Sequence, residues 1–467
     1  NSKSKIKKMN TLIAIGSLGI LVLLLEVFGA RKTIIPVTII GLLVSLGISL
    51  GGFCTESGPA SFFNNTIVED KFSMGFSSLF ILLTIFIVLM SADFYNKEQK
   101  KLSDYITVKV LLLFGGISMV SFGNLATYFV GIEILSISLY ILAASKPTSI
   151  KSNEAGMKYF LMGAFASGFL LFGIALIYGA TGSFDMVTIH QAGMSAGVED
   201  WFYIGVAMIS VAMLFKIAAV PFHLWAPDVY QGSPALSTAL MSTLAKVIAI
   251  GGFYRLIEGM YGNFSEGFIS ALIVISILSM TVGNVMALRQ ANVKRMLAYS
   301  GISHAGFMLM ALLAVPNGVG NLLYYATAYS IAGIAAFAVI IAVTKDKDDE
   351  NIINFNGLGK KNPVMALTLT LALLSMAGIP ILAGFFGKVF LFGQMLEIGY
   401  TTLVIVAVIN SIISVGYYFK LILAMYTKES SEEIHQIPSV YTVVAVIATV
   451  INLAIGLFPD VVLGLLG

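Results

Sequence analysis

The sequence predicts an all-α, polytopic membrane protein, and three observations carry that reading. Hydrophobic residues make up 58% of the 467 and charged residues only 11%, against about 25% charged in an ordinary soluble domain. The charges that remain sit in short stretches between apolar runs, each roughly 20 residues long, the length that crosses about 30 Å of hydrocarbon. The two longest runs are interrupted by Pro221 and Pro380, where a helix must break and free backbone groups that lipid cannot satisfy. A soluble chain of this length would suggest about three domains, but a helical bundle in lipid can be one unit. A single membrane domain over 1–467 is therefore expected.

The runs follow in order. The first, 10–29, has lysines before it and no small-residue cleavage site after it, so it reads as a retained helix. Runs at 33–53, 73–95, 105–120, 124–144 and 154–180 come next. The seventh, 200–231, carries Pro221 and is read as a broken helix. Unbroken runs at 234–258, 267–288, 295–314 and 319–343 follow, then a second broken one, 363–399, around Pro380. The last two, 401–426 and 438–460, complete about fourteen. Small residues from Gly131 to Ser138 and from Gly156 to Gly163 permit close helix approach. The polar piece from Thr181 to Asp200 shows no usable periodicity, and Lys345 to Glu350 reads as a solvated loop of mixed charge.

Charge gives an orientation. The loops after the odd-numbered runs hold 18 positive residues, among them Arg31, Lys101, Lys151, Arg295 and Lys361, and the opposite side holds six. Four of those six, Lys3, Lys5, Lys7 and Lys8, precede the first run; Lys71 and Arg255 are the others. Positive residues gather in cytoplasmic loops, so the interior loops, 18 to 2, place both termini on the outer, periplasmic side. The Lys-rich start, with Met9 downstream, is read as an extension.

Several function classes fall away. A dispersed net charge of +3 makes no nucleic-acid footprint. The single cysteine, Cys54, excludes disulfide frameworks, thiolate zinc sites and protein-ligated iron–sulfur clusters, each of which needs several thiolates. No GxGxxG after a strand and no P-loop is present, so no nucleotide site, no metal site and no cofactor is expected on this chain.

Of the 27 positive residues, the count leaves three inside the membrane: Lys216, Lys246 and Lys388, joined by Glu133 in the fifth run. A charge at mid-bilayer costs about 3 kcal/mol on insertion scales, so such residues face a bundle interior and mark function. Burial and a neighbouring carboxylate act oppositely on a lysine's proton affinity, which lets a buried Glu and Lys work as a switch; arginine stays protonated and cannot. At about 4 Å, two unit charges interact by on the order of 4 kcal/mol at an effective dielectric of 20. His223, two residues after Pro221, and His304 in the tenth run extend the series with groups that titrate near neutrality. Breaks at corresponding places in two halves are the signature of inverted-repeat transporters. The candidate repeats are 105–258 and 267–426, flanked by 1–95 and 438–460.

Three stretches carry a family resemblance. LFKIAAVPFHLWAPDVYQGSPALSTALMSTLAKV from Leu214, NVKRMLAYSGISHAGF from Asn292 and LSMAGIPILAGFFGKVFLF from Leu374 resemble the antiporter-like membrane subunits of respiratory complex I. Within that group they are similar to the subunit N family of bacterial NADH-quinone oxidoreductase, most strongly from Gly131 to Phe392. The resemblance implies fourteen helices, two inverted five-helix repeats and a central axis of protonatable residues. The family's glutamate falls on Glu133 in VGIEILSISLY, and its lysines on Lys158, Lys216, Lys246 and, in GFFGKVF, Lys388; its histidine after the helix break falls on His223. Lysine at 388 sets the chain apart from a branch with glutamate there, and its length from a branch with a long lateral helix.

The expectation that follows is a proton-translocating subunit, part of an NADH:quinone translocase in the bacterial cytoplasmic (inner) membrane, with no redox centre of its own. FMN and iron–sulfur clusters would lie in partner subunits, and quinone would be substrate of the complex. Partners would be a neighbouring antiporter-like subunit, small membrane subunits and lipids. Separation of Glu133 from Lys216 would push a proton through His223 to Lys246, and then by His304 to Lys388 on the exit side. A subunit of a multi-subunit cation/proton antiporter is the alternative, and a membrane anchor without transport ranks below both.

Overall fold

The computed structural model describes residues 10–54, 59–95, 101–194, 200–260, 264–345, 347, 349–429 and 437–463. Its helical elements, numbered by the apolar runs they occupy, begin with α1 (Asn10–Val27), α2 (Ile34–Cys54) and α3 (Lys71–Phe94). They continue with α4 (Leu102–Val120), α5 (Leu125–Ala143) and α6 (Ile150–Thr181). The seventh, α7, is two pieces, Asp200–Lys216 and Trp225–Gly232, and α8 runs Ala235–Leu240, Met241–Ala245 and Lys246–Gly259. After α9 (Glu266–Leu288), α10 (Val293–Met310) and α11 (Val319–Thr344) comes α12, again two pieces, Pro363–Ala377 and Ala383–Glu397. The last long helices are α13 (Thr401–Thr427) and α14 (Ser439–Leu457).

Among the described residues, eleven helices are long and apolar enough to cross a membrane unaided; α1, α7 and α12 are shorter or broken. The termini, including Lys3, Lys5, Lys7 and Lys8, lie outside the described residues.

Burial sorts the bundle into an inside and an outside. More than nine-tenths of the spanning windows of α8, α10 and α11 are buried, whereas α2, α6, α9, α13 and α14 bury two-fifths or less. The outer helices instead present large apolar side chains such as Phe160, Phe165 and Phe172 outward, as a lipid-facing helix must. Close packing needs small residues: a Cβ on Gly131 of α5 would meet the Gly115 carbonyl of α4 at 2.9 Å. This is the packing use expected for the Gly131 stretch.

Both helix breaks fall where the prolines placed them, at 217–224 in α7 and 378–382 in α12. The α7 turn is tied down by its surroundings. Trp225 Nε1 donates to the Phe215 carbonyl at 3.1 Å, and Val220 N–H donates to Ser279 Oγ of α9 at 2.9 Å. In α12, Gly378 takes the left-handed conformation that ends the first piece, with φ of 89°.

A third irregularity went unforeseen. Met241–Ala245 of α8 form a π-turn, a feature that clusters at functional sites. A short hairpin, β1 (Ala60–Phe62) and β2 (Ile67–Glu69), lies between α2 and α3.

The connections alternate between two faces. Those after α3, α5, α7, α9 and α11 converge on one cavity, lined by Asp93, Lys146, Gln231, Lys294 and Lys345 among others. The opposite face gathers the hairpin, the α4–α5 turn and the segment after α6: Val68 N–H bonds to the Ser121 carbonyl, and Asn65 Nδ2 to Asp185 Oδ1 at 2.6 Å. There too Arg255 pairs with Asp70 at 2.6 Å.

Candidate functional site

The buried charges form a row across the helices that the breaks interrupt. Lys216 is the last residue of the first piece of α7, and its Nζ donates to Ser136 Oγ at 2.6 Å and Tyr140 OH at 3.2 Å, both on α5. Glu133 sits one helical turn before Ser136, is half-buried, and accepts from Ser167 Oγ of α6 at 2.5 Å. The expected direct ion pair of Glu133 with Lys216 is therefore not made here. The Lys216 ammonium meets α5 one turn beyond the Glu133 carboxylate, and each is held by hydroxyls.

His223 lies in the turn that breaks α7, buried, with Nδ1 lacking a hydrogen-bond partner. Lys246 follows the π-turn of α8 directly, and its Nζ donates to the Gly301 carbonyl of α10 at 2.7 Å. A Cβ on Gly301 would stand 2.9 Å from that Nζ, so the ammonium would have to shift. One turn further along α10, His304 bonds through Nδ1 to Tyr325 OH of α11 at 2.7 Å and through Nε2 to Tyr418 OH of α13 at 3.1 Å. Ser300 shares the Tyr418 hydroxyl at 2.5 Å.

Lys388 closes the row. Its Nζ donates to the Ala377 carbonyl at 2.8 Å, the Met376 carbonyl at 3.2 Å and Ser411 Oγ at 2.8 Å. Those carbonyls end the first piece of α12. They have no partner within that helix and lie at its negative pole, so the break builds a cation site out of backbone. Lys216 likewise stands at the carbonyl end of the first piece of α7. The lysine thus precedes the proline in one break and follows it in the other; the Lys388 ammonium is held by the carbonyls of a helix end, whereas that of Lys216 donates to hydroxyls of α5. A small cavity lined by His304, Tyr325, Tyr329 and Lys388 links the last two groups of the row.

The structure brings together Lys216, His223, Lys246, His304 and Lys388 on adjacent interior elements, none more than 9% exposed. Lys158 does not join them. It pairs on the odd-connection face with Glu154 at 2.7 Å and Asp228 at 3.3 Å, its side chain 44% exposed. Arg295 reaches the same Asp228 at 2.6 Å.

One buried lysine escaped the charge count. The positive residues credited to the connection after the third run include Lys109, which lies in α4, fully buried, donating to Ser91 Oγ of α3 at 2.8 Å. The signal was present, since run 105–120 contains it. Lys294 is also buried, at 2%, but it is neutralised by Glu350 at 2.8 Å. Among the described residues no three His, Cys, Asp or Glu side chains converge as metal ligands.

Comparison with known proteins decides the family. A family model described as NADH:quinone oxidoreductase/Mrp antiporter, transmembrane, matches residues 123–414. The NADH-quinone oxidoreductase subunit N of Flavobacterium johnsoniae is 60% identical over 465 residues, covering 98% of this chain and all of that one. The chain belongs to the subunit N family. Among solved structures, a chain of respiratory complex I from Thermus thermophilus with bound aureothin superposes with a TM-score of 0.84 at 31% identity, over 97% of this chain and 98% of that one. A chain of the Mrp complex from a Dietzia species superposes with a TM-score of 0.88 over 98% and 96%, but at 22% identity it shares the fold alone. In this subunit N family member, the matched segment 123–414 contains Glu133, Lys216, His223, Lys246, His304 and Lys388. Lys109 stands before it.

Proposed function

We propose that this chain is the proton-translocating membrane subunit of an NADH-quinone oxidoreductase, coupling electron transfer from NADH to quinone to proton movement. The observation that carries the reading is the row of buried lysines and histidines at both helix breaks and at the π-turn, in a chain that aligns end to end with subunit N relatives. No redox step is assigned to this chain. FMN and iron–sulfur clusters are assigned to partner subunits, the clusters because one cysteine cannot ligate one, and quinone is substrate of the complex. The partners are a neighbouring antiporter-like subunit and small membrane subunits in the bacterial inner membrane.

In this mechanism Glu133 acts on Lys216 across one turn of α5. When the carboxylate's influence weakens, Lys216 gives up its proton through the α7 turn, past His223, to Lys246. His304 relays it between the Lys246 and Lys388 neighbourhoods through the hydroxyls of Tyr325 and Tyr418, and Lys388 releases it on the exit side. Lysine suits these posts because its ammonium can deprotonate when buried. Lys158, paired with carboxylates on an exposed surface, supports a part in proton entry at most.

The repeats are assigned to 105–258 and 267–426, with 1–95 and 438–460 flanking. Parallel packing supports this: α4 packs on α5 and α8 as α9 packs on α10 and α13. Fourteen crossings with both termini periplasmic accord with the two-faced arrangement of the connections.

The reading is tested by Lys246→Met in the intact complex. Proton pumping and quinone reduction are expected to fall together while NADH oxidation by an artificial acceptor persists. Full pumping in the assembled variant overturns the assignment. Sodium-dependent counter-transport in vesicles without NADH dehydrogenase activity would instead mark an antiporter subunit.

A further inference from the structure

Lys109 is the buried charge that the row above does not use. It is fully buried, and among the described residues no carboxylate lies within ion-pair distance. Its Nζ donates to Ser91 Oγ at 2.8 Å and stands 4.6 Å from the centre of the Tyr95 ring. Ser91 passes its own hydrogen to the Ile87 carbonyl at 2.7 Å, which turns its oxygen toward the ammonium. A cation buried without a counter-ion is expensive to keep for packing alone, and the hydroxyl and ring offset only part of that cost.

Tyr95 also forms a wall of the cavity on the face where the odd-numbered connections meet. That cavity is about 420 Å³ and carries Asp93, Lys146, Lys294, Lys345 and Glu350 on its lining. A space of that size and polarity holds water. Its floor includes Ser233, Pro234 and Ala235, where α8 begins, the helix that bears Lys246. One aromatic ring therefore separates the Lys109 amine from a wet vestibule that also opens onto the start of α8. The Asp93–Lys345 pair at 2.6 Å bridges the rim between α3 and the connection after α11.

We propose that Lys109 is a proton-loading residue for this vestibule, a further proton carrier on the entry side of the row. The amine takes a proton from hydronium in the cavity and leaves water; on discharge the ammonium returns it to cavity water, which carries it as hydronium toward α8. No other bond changes. The proposal rests on the proton-translocating reading above, and its test separates the two.

Lys109→Met, Lys109→Arg and Lys246→Met are compared in inverted membrane vesicles containing the intact complex. The rate of NADH-driven pumping is measured at matched amounts of complex, and assembly by NADH oxidation with an artificial acceptor. Both Lys109 variants are expected to lower the pumping rate by roughly tenfold or more, as loss of a proton-transfer group does, because arginine keeps the charge but cannot release the proton. A wild-type rate in Lys109→Arg shows a structural charge and overturns the proposal, as does a wild-type rate in Lys109→Met. If Lys246→Met pumps fully, the parent reading fails; if Lys246→Met fails to pump while the Lys109 variants pump normally, only this proposal fails. Should neither Lys109 variant assemble, Ser91→Ala decides: reduced pumping with normal assembly supports proton loading, and wild-type pumping overturns it.

Discussion

Lys388 shows how one residue's role is set by what surrounds it. Its ammonium is held by two carbonyls from a helix end and one serine hydroxyl, all neutral groups. Neutral acceptors hold a cation without locking it as a carboxylate would, so the proton can leave. Lys246 has a single carbonyl partner, and that contact depends on the missing side chain of Gly301. Gly301→Ala is expected to push the ammonium off the carbonyl and lower the rate of coupled pumping by roughly tenfold, equivalent to about 1.4 kcal/mol. An unchanged rate in the assembled complex would show that the contact does not matter to transfer. Residue identity was the most legible part of the site, because a charge near the middle of an apolar run stands out; Lys109, close to the start of its run, was credited to a loop instead. The partners were not legible: Ser136, Tyr140, Tyr325, Tyr418 and Ser411 are common residues whose approach to the row exists only after the helices pack.

Among the elements, the two broken helices were readable from Pro221 and Pro380, since proline removes a donor and clashes with the preceding turn. The π-turn of α8 was not, because Met241–Ala245 contains neither proline nor glycine to signal it. The α7 break depends on tertiary support from α9. Ser279→Ala would strand the buried Val220 N–H and is expected to destabilise the subunit by about 1–3 kcal/mol, read as a lower melting temperature of the purified complex. An unaltered transition would mean that water or a carbonyl replaces the hydroxyl.

The hairpin is another element that only packing explains. Its anchor, Asp185, would be pushed up by burial, yet hydrogen bonds from Asn65 and Thr188 hold its carboxyl below the usual range. A depressed carboxyl contributes stability above its unfolded pKa, near 3.9 in general, and that contribution is lost as pH falls through the folded value. Asp185→Asn should therefore reduce stability at neutral pH and flatten its loss on acidification. Identical acid profiles for the two proteins would show that the anchor contributes nothing.

For the whole molecule, the alternation of connections between two faces gives the topology its testable form. In a Cys54→Ser background, Lys347→Cys is expected to react with a membrane-impermeant thiol reagent from the cytoplasmic side and Ser183→Cys from the periplasmic side. The reverse pattern would invert the assigned orientation. Of the three most buried helices, α8, α10 and α11, the first two carry Lys246 and His304. The outer helices instead turn large apolar side chains outward, leaving the buried lysines and histidines to the interior.

What the sequence determined by itself was the membrane class, the order of apolar runs, the two proline breaks and the identities of Glu133, Lys216, Lys246 and Lys388. These follow from the cost of placing charge or free backbone in hydrocarbon, a cost written residue by residue. What only the tertiary structure decided was which neutral groups hold each ammonium, that the Lys216 ammonium meets α5 one turn beyond Glu133, that Lys158 faces outward, and that Lys109 lies buried beside a vestibule. Those depend on where separate helices approach one another, and helix approach is set by side-chain shape across distant segments, not by the hydropathy of any one of them.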